Sequence, residues 1–217
     1  MSAIPHNLIE GFQRFREQHF ERNDSLYQQL VSKGQTPKTM VVACCDSRVD
    51  PALVLDCQPG DLFVIRNVAN LVPPVEGRAG HHGTTAAIEY GVRNLAVDHI
   101  IVLGHAHCGG IGTLVRSGGV SNPGSFIDDW MCLVESARSS VVAEMPNATQ
   151  EEQMRACEQR AILVSLDNLM TFSWIKERVD AGNLTLHGWY FDIEHGQLLR
   201  YDSTVRKFVS LQLLGTG

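Results

Sequence analysis

Two short motifs bring together residue types that bind and work a metal ion. Cys44-Cys45-Asp46-Ser47-Arg48 sets a thiol, a carboxyl and a guanidinium on alternate positions, and Gly104-His105-Ala106-His107-Cys108-Gly109-Gly110 sets an imidazole three residues before a second thiol. Two thiolates and one imidazole are borderline-soft donors of the kind zinc selects. Three protein ligands leave a fourth position open, as catalytic rather than structural zinc sites do. The candidate metal ligands are therefore Cys44, His105 and Cys108. Their i, i+3 spacing aims His105 and Cys108 at one ion from a helical turn and leaves His107 pointing elsewhere. A lone His-x-x-Cys is common in chains that bind no metal. Two such motifs, each closing an apolar run, point to one site.

The runs that carry them read as strands. Thr39-Met40-Val41-Val42-Ala43-Cys44, Leu62-Phe63-Val64-Ile65 and His99-Ile100-Ile101-Val102-Leu103 are short, apolar and rich in β-branched residues, the pattern of strands buried on both faces. A helical stretch over residues 84–95 lies between the last two, so crossover connections and a mostly parallel sheet are predicted. Ligands of such sheets gather at the carboxyl ends of the strands, where both motifs fall.

Around this centre, residues 7–31 form a predicted helix whose Leu8, Phe12, Phe15 and Phe20 need a partner surface, and Gly34-Gln35-Thr36-Pro37 ends it. Beyond Gly112 the pattern is helical, chiefly over residues 126–145 and 151–179, with breaks near Asn147 and around Thr171. Residues 184–193 and 198–201 read as a hairpin turning at Glu194-His195-Gly196-Gln197. The predicted fold class is α/β: a mostly parallel central sheet flanked by helices, with an N-terminal helical arm and a C-terminal hairpin. With no repeat or linker, residues 1–217 read as one domain, the arm at 1–34 and the metal-binding core at 35–217.

Composition narrows the partners. The chain of 217 residues has a formal charge of −6 and no basic stripe, which argues against nucleic acid. No run nears the roughly 20 apolar residues of a membrane span. Met1-Ser2-Ala3-Ile4-Pro5-His6 carries no basic segment followed by an apolar one, so a cytoplasmic location without a leader is expected. Six cysteines are too few for a disulfide framework in a chain this long. Cys57, Cys132 and Cys157 read as ordinary core or surface thiols, and Cys45 as packed, because side chains diverge at a strand end. His81 and His82, just before a helix, are candidates for proton transfer or for capping a loop.

The two motifs, together with Arg66-Asn67-Val68-Ala69-Asn70, Ala86-Ala87-Ile88-Glu89-Tyr90 and Gly188-Trp189-Tyr190-Phe191-Asp192, form a pattern that resembles the β-class carbonic anhydrases. The resemblance implies one Zn²⁺ per chain on Cys44, His105 and Cys108, and reversible hydration of carbon dioxide to bicarbonate and a proton through a zinc-bound hydroxide. It implies that Asp46 accepts a hydrogen bond from that hydroxide, with Arg48 holding Asp46 ionised. It maps the substrate contacts of the plant-like members onto Gln35, Phe63, Val68 and Tyr90. Without it, Phe63 and Val68 would read as strand core and Gln35 as a loop residue. It further implies a homodimer or larger homo-oligomer, with N-terminal helices embracing the partner and pocket residues crossing the interface. Some members trap an inhibitory bicarbonate with a tryptophan, an arginine and a tyrosine. The matching positions here are Val41, Arg66 and Phe191, so the open type is expected. The rival readings are a carbon disulfide or carbonyl sulfide hydrolase on the same scaffold, a zinc protein without catalysis, and a thiol oxidoreductase using Cys44 and Cys45.

Overall fold

The computed structural model describes residues 5–21, 26–76, 81–120, 122 and 124–211. The first four residues, on which the reading of a missing leader partly rests, lie outside that set, as do residues 22–25 in the middle of the predicted first helix and the last six residues of the predicted domain.

Three strands meet edge to edge in parallel: β1 (Thr39–Cys44), β2 (Leu62–Asn67) and β3 (His99–His105), with β1 between the other two. Beside β3 lies β4 (Thr185–Asp192), also parallel, and β5 (Gln197–Asp202) and β6 (Lys207–Ser210) extend the sheet antiparallel. The order among the described residues is β2-β1-β3-β4-β5-β6. Parallel neighbours require crossovers, and helices supply them: α3 (Pro51–Val54) between β1 and β2, and α4 (Gly83–Glu89) with a π turn at Tyr90–Asn94 between β2 and β3. Between β3 and β4 run α5 (Gly109–Arg116), α6 (Phe126–Met131), α7 (Glu135–Glu144), α8 (Gln150–Leu169) and α9 (Ser173–Asp180). The predicted sheet, crossovers and hairpin are all present, and β6 is a strand that the sequence pattern did not reveal.

Alternate residues of β1 and β3 face two different cores. Met40, Val42, Ile100 and Val102 pack with Ile162 of α8 and Tyr190 of β4, while Val41, Ala43, Ile101 and Leu103 form a smaller cluster on the opposite face. Helix α8 starts with a capping box, Thr149 with Glu152, and sits tightly on the sheet. A Cβ at Gly104 would come within 2.7 Å of Ile162 Cδ1, so glycine permits this approach.

Two expectations need correction. Strand β2 is not buried on both faces: it is a sheet edge, and Val64 is 39% exposed. Apolar composition marks a strand but not the number of its neighbours. The first helix is also not continuous. It is α1 (His6–Arg16), a π turn at Glu17–Glu21 and a separate α2 (Leu26–Lys33). The second half folds back, stacking Tyr27 on Phe20 at 4.9 Å and edge-on to Phe15 at 5.5 Å. Helix α1 buries none of its residues, and Leu8 and Phe12 remain 65% and 62% exposed.

Candidate metal centre

The chain leaves β1 for β2 on one side and later returns to place β3 on the other. Their carboxyl ends therefore flank a switch point, the crevice where open α/β sheets bind ligands. Cys44 closes β1 and His105 closes β3. Cys108 does not share a helical turn with His105, as the spacing suggested: β3 runs through His105, His107 turns the chain at φ 58°, and Cys108 is the N-cap of α5. The three candidate ligands converge all the same, from strand ends and a helix start.

The Cys44 and Cys108 sulfurs lie 4.0 Å apart, and a ring nitrogen of His105 stands within 4.8 Å of both. Two sulfurs on one tetrahedral zinc, each about 2.3 Å from it, would lie about 3.8 Å apart. His105 Nδ1 donates to the Ala106 carbonyl at 2.8 Å, which leaves Nε2 as the free lone pair. That nitrogen is buried and finds no hydrogen-bond partner among the described residues. A buried, orphaned acceptor beside two close sulfurs fits a soft dication in both donor set and spacing.

The surroundings favour a thiolate at Cys44. The Cys108 thiol donating to Cys44 holds the Cys44 thiol well below its usual range, whereas the same contact and burial push Cys108 up. Backbone N–H groups of Asp46 and Ala69 face the Cys44 sulfur, and those of Gly110 and Ile111 face that of Cys108. Ala69 adopts a left-handed φ of 61° within the turn Val68–Asn70. Burial lowers the His105 pKa, but the Cys44 thiolate beside it more than offsets this and leaves the net shift upward.

Asp46 and Arg48 form the expected dyad. Arg48 Nε donates to Asp46 Oδ1 at 3.0 Å, Nη2 to Oδ2 at 2.7 Å, and the Arg48 amide to Oδ1 at 3.0 Å. This guanidinium holds the Asp46 carboxyl far below the usual range. Arg48 Nη2 also donates to the His107 carbonyl at 3.0 Å, joining the two ligand loops. Arg66 braces the first loop, donating from Nε to the Cys44 carbonyl at 2.9 Å, from Nη2 to the Asp46 carbonyl at 2.7 Å, and from Nη1 to Asp50 at 2.7 Å.

The predicted substrate contacts do not all gather here within one chain. Val68 directly follows Asn67, the partner of Cys44, and its side chain lies against Gly110, where an added Cβ would come within 2.8 Å. Phe63 pairs instead with Met40, about 13 Å along the strand from the ligand end. Its ring faces Tyr90 at 6.0 Å, and Tyr90 is 45% exposed. Gln35 is exposed in a separate depression with Tyr27, Leu30 and Leu62.

Cys45 is exposed rather than packed, because the chain leaves the sheet at this strand end. Cys157 is buried, Cys132 exposed and Cys57 half-buried. His107 points away from the sulfurs and brings Nε2 to 3.3 Å from Glu194. His82 precedes α4 without a capping bond from its side chain. Sequence reasoning missed Glu158, whose carboxyl accepts from the Cys108 amide at 2.9 Å and from the Tyr190 hydroxyl at 2.7 Å. The available signal was a charged residue on the apolar stripe of α8 beside Ala161, Ile162 and Ser165.

An open, mostly parallel sheet holding two cysteines and a histidine beside a carboxylate–guanidinium pair defines a metalloenzyme scaffold. A family model described as carbonic anhydrase matches residues 39–198. A carbonic anhydrase of Synechocystis sp. is 39% identical over 94% of this chain and 74% of its own length. The chloroplastic β carbonic anhydrase 5 of Arabidopsis thaliana is 40% identical over 86% of this chain, which spans 61% of that relative. The solved β-carbonic anhydrase CcaA superposes with a TM-score of 0.88 at 38% identity, covering 96% of this chain and 92% of that one. A tetrameric β-carbonic anhydrase from Sordaria macrospora gives 0.80 at 30% identity, covering 90% and 95%. This chain belongs to the β-class carbonic anhydrase family. Among the described residues no helix is long and apolar enough to cross a membrane.

Proposed function

We propose that the chain hydrates carbon dioxide reversibly to bicarbonate and a proton, with one zinc ion held by Cys44, His105 and Cys108. The observation that carries this is the buried, unpartnered His105 Nε2 beside two sulfurs 4.0 Å apart, with the Asp46–Arg48 pair on the adjoining loop. When bound there, zinc supplies a Lewis acid that makes water a nucleophile at neutral pH. Asp46, kept ionised by Arg48, accepts a hydrogen bond from the attacking oxygen and orients it toward the substrate carbon. Arg48, also bonded to the His107 carbonyl, keeps that acceptor in place. Val68 offers an apolar wall for a substrate with no net dipole.

The reading takes Gln35, Phe63 and Tyr90 as contributions to the metal centre of a second copy in a homodimer or larger homo-oligomer. Edge strand β2, the exposed Tyr90 and the uncovered face of α1 support it. Gln35 would then donate to a bicarbonate oxygen, and the two rings would complete the apolar pocket. Arm and core, residues 1–34 and 35–217, act as one unit in this arrangement.

The test is a carbon dioxide hydration assay with metal analysis, before and after chelation. About one zinc per chain is expected, with activity lost on its removal and regained on its return. Full activity in metal-free protein would refute the proposal.

A further inference from the structure

Glu158 is a carboxyl group only 4% exposed, placed on the inner side of α8 among Cys157, Ala161 and Ile162. Burying such a group is costly unless its oxygens are engaged, and here each has one partner. Oε1 accepts from the Cys108 amide at 2.9 Å, and Oε2 from the Tyr190 hydroxyl at 2.7 Å. Tyr190 is itself fully buried on β4, and the Arg155 guanidinium lies 5.7 Å over its ring while pairing with Asp192. A continuous set of contacts therefore runs from a candidate ligand, through α8, to the start of the β4–β5 hairpin.

The amide that Glu158 engages is one a helix start cannot satisfy. Cys108 is the N-cap of α5, so its N–H has no partner within the helix. Around it the packing is apolar: Ala69, Ile111, Leu114 and Ala161 share its cluster. Without an acceptor from α8, this amide would be buried unpaired and the residue free to rotate about its backbone. The sulfur it carries belongs to a pair whose spacing already suits one ion.

We propose that Glu158 is a positioning residue for the metal centre: its carboxyl, anchored by the Tyr190 hydroxyl, fixes the Cys108 main chain and so aims Cys108 Sγ at the ion. The inference rests on the reading of Cys44, His105 and Cys108 as zinc ligands. It assigns the effect to a hydrogen bond at a fixed place rather than to charge. Partners of this kind orient ligands without touching metal or substrate, and their loss typically weakens metal affinity by about 10–100-fold.

Three variants test it: Glu158→Met, which keeps volume but no acceptor; Glu158→Gln, which keeps an amide oxygen for the Cys108 N–H; and Tyr190→Phe, which frees the second carboxyl oxygen. The readouts are zinc affinity by chelator competition, the sulfur-to-metal absorption bands of the cobalt-substituted protein, and hydrogen exchange at the Cys108 amide in metal-free protein. Glu158→Met should bind zinc about 10–100-fold more weakly, shift the cobalt bands and exchange faster at Cys108. Glu158→Gln should restore all three close to wild type, and Tyr190→Phe should show a smaller loss in the same direction. If Glu158→Met does not fold, Tyr190→Phe against wild type carries the test alone. Wild-type affinity and cobalt bands in the non-rescuing variants overturn the proposal. So does a Glu158→Gln as weak as Glu158→Met, which would assign the effect to charge. Wild-type protein that takes up no zinc overturns the metal reading itself, a result that variant comparisons cannot mimic.

Discussion

Arg48 grips both carboxylate oxygens of Asp46, at 3.0 Å through Nε and 2.7 Å through Nη2. The fork geometry matches two parallel charge-assisted bonds, so the carboxylate is fixed in orientation as well as in charge. Asp46→Asn preserves size and removes the anionic acceptor. Zinc content is expected to stay at the wild-type level while the hydration rate falls roughly 10²-fold or more, the scale of a positioned proton acceptor. Stopped-flow hydration with metal analysis checks this, and a near-normal rate would remove Asp46 from the chemistry.

The neighbouring cysteines should separate cleanly. Cys44 is buried against Cys108, and Cys45 is exposed. Cys44→Ala should lose metal and activity together, while Cys45→Ala keeps both. A Cys45→Ala protein inactive at full zinc content would instead favour thiol chemistry.

The position of Arg66 bears on inhibition by bicarbonate. Its Nε, Nη1 and Nη2 already serve Cys44, Asp50 and Asp46, and neither Val41 nor Phe191 has a side-chain hydrogen-bond donor. Asp46, far below the usual carboxylate range, stays ionised down to acid pH and adds no inflection near neutrality. Activity should therefore decline smoothly as pH drops. A steep, cooperative collapse near neutral pH, deepened by added bicarbonate, would contradict the open type.

If pocket residues cross between copies, two crippled chains should repair one another. Cys44→Ala lacks a metal site but carries an intact Gln35 and Tyr90. A Gln35→Ala/Tyr90→Ala chain has the converse defect. Co-expressed, they form a mixed dimer with one complete site, and zinc-normalised activity should exceed that of either parent. Activity no greater than the sum of the parents would place the pocket within one chain.

Asp192 gives a stability prediction in acid. Burial raises its pKa, but Arg155 and His195 outweigh that and hold it at about 2. A carboxyl depressed in the folded state stabilises it above the unfolded value near 3.8, and the stabilisation fades as pH falls toward about 2. Urea unfolding at pH 5 and pH 2.5 should show a larger loss for wild type than for Asp192→Asn. Equal losses would show that the carboxylate has no such linkage.

The parts legible in the sequence are those where one kind of physics dominates. β1 could be bounded at Thr39 and Cys44 because β-branched residues fill a strand covered on both sides. The Cys44, His105 and Cys108 cluster was legible because thiols and an imidazole at the ends of strands that pair side by side must come together. What stayed hidden depends on distant neighbours. Nothing in Leu62-Phe63-Val64-Ile65 says that the strand has a single partner, and nothing near Cys45 says that its side is uncovered. The hydrogen bond of Glu158 goes to an amide 50 positions away, and the amide of left-handed Ala69 faces a sulfur on another strand.

Cys44 and Cys108 stand 64 positions apart in the chain, and their sulfurs meet only when β1 and β3 lie side by side with α5 begun. Such a contact joins segments far apart in sequence and depends on the β1–β3 pairing that brings them together. During synthesis, then, a growing chain displays Cys44 long before any partner donor exists, and the site cannot act as a seed for the sheet. On the reading of these side chains as ligands, a donor set shared between two distant segments is complete only in an assembled sheet, so metal shortage should leave folded protein without its ion rather than unfolded chains.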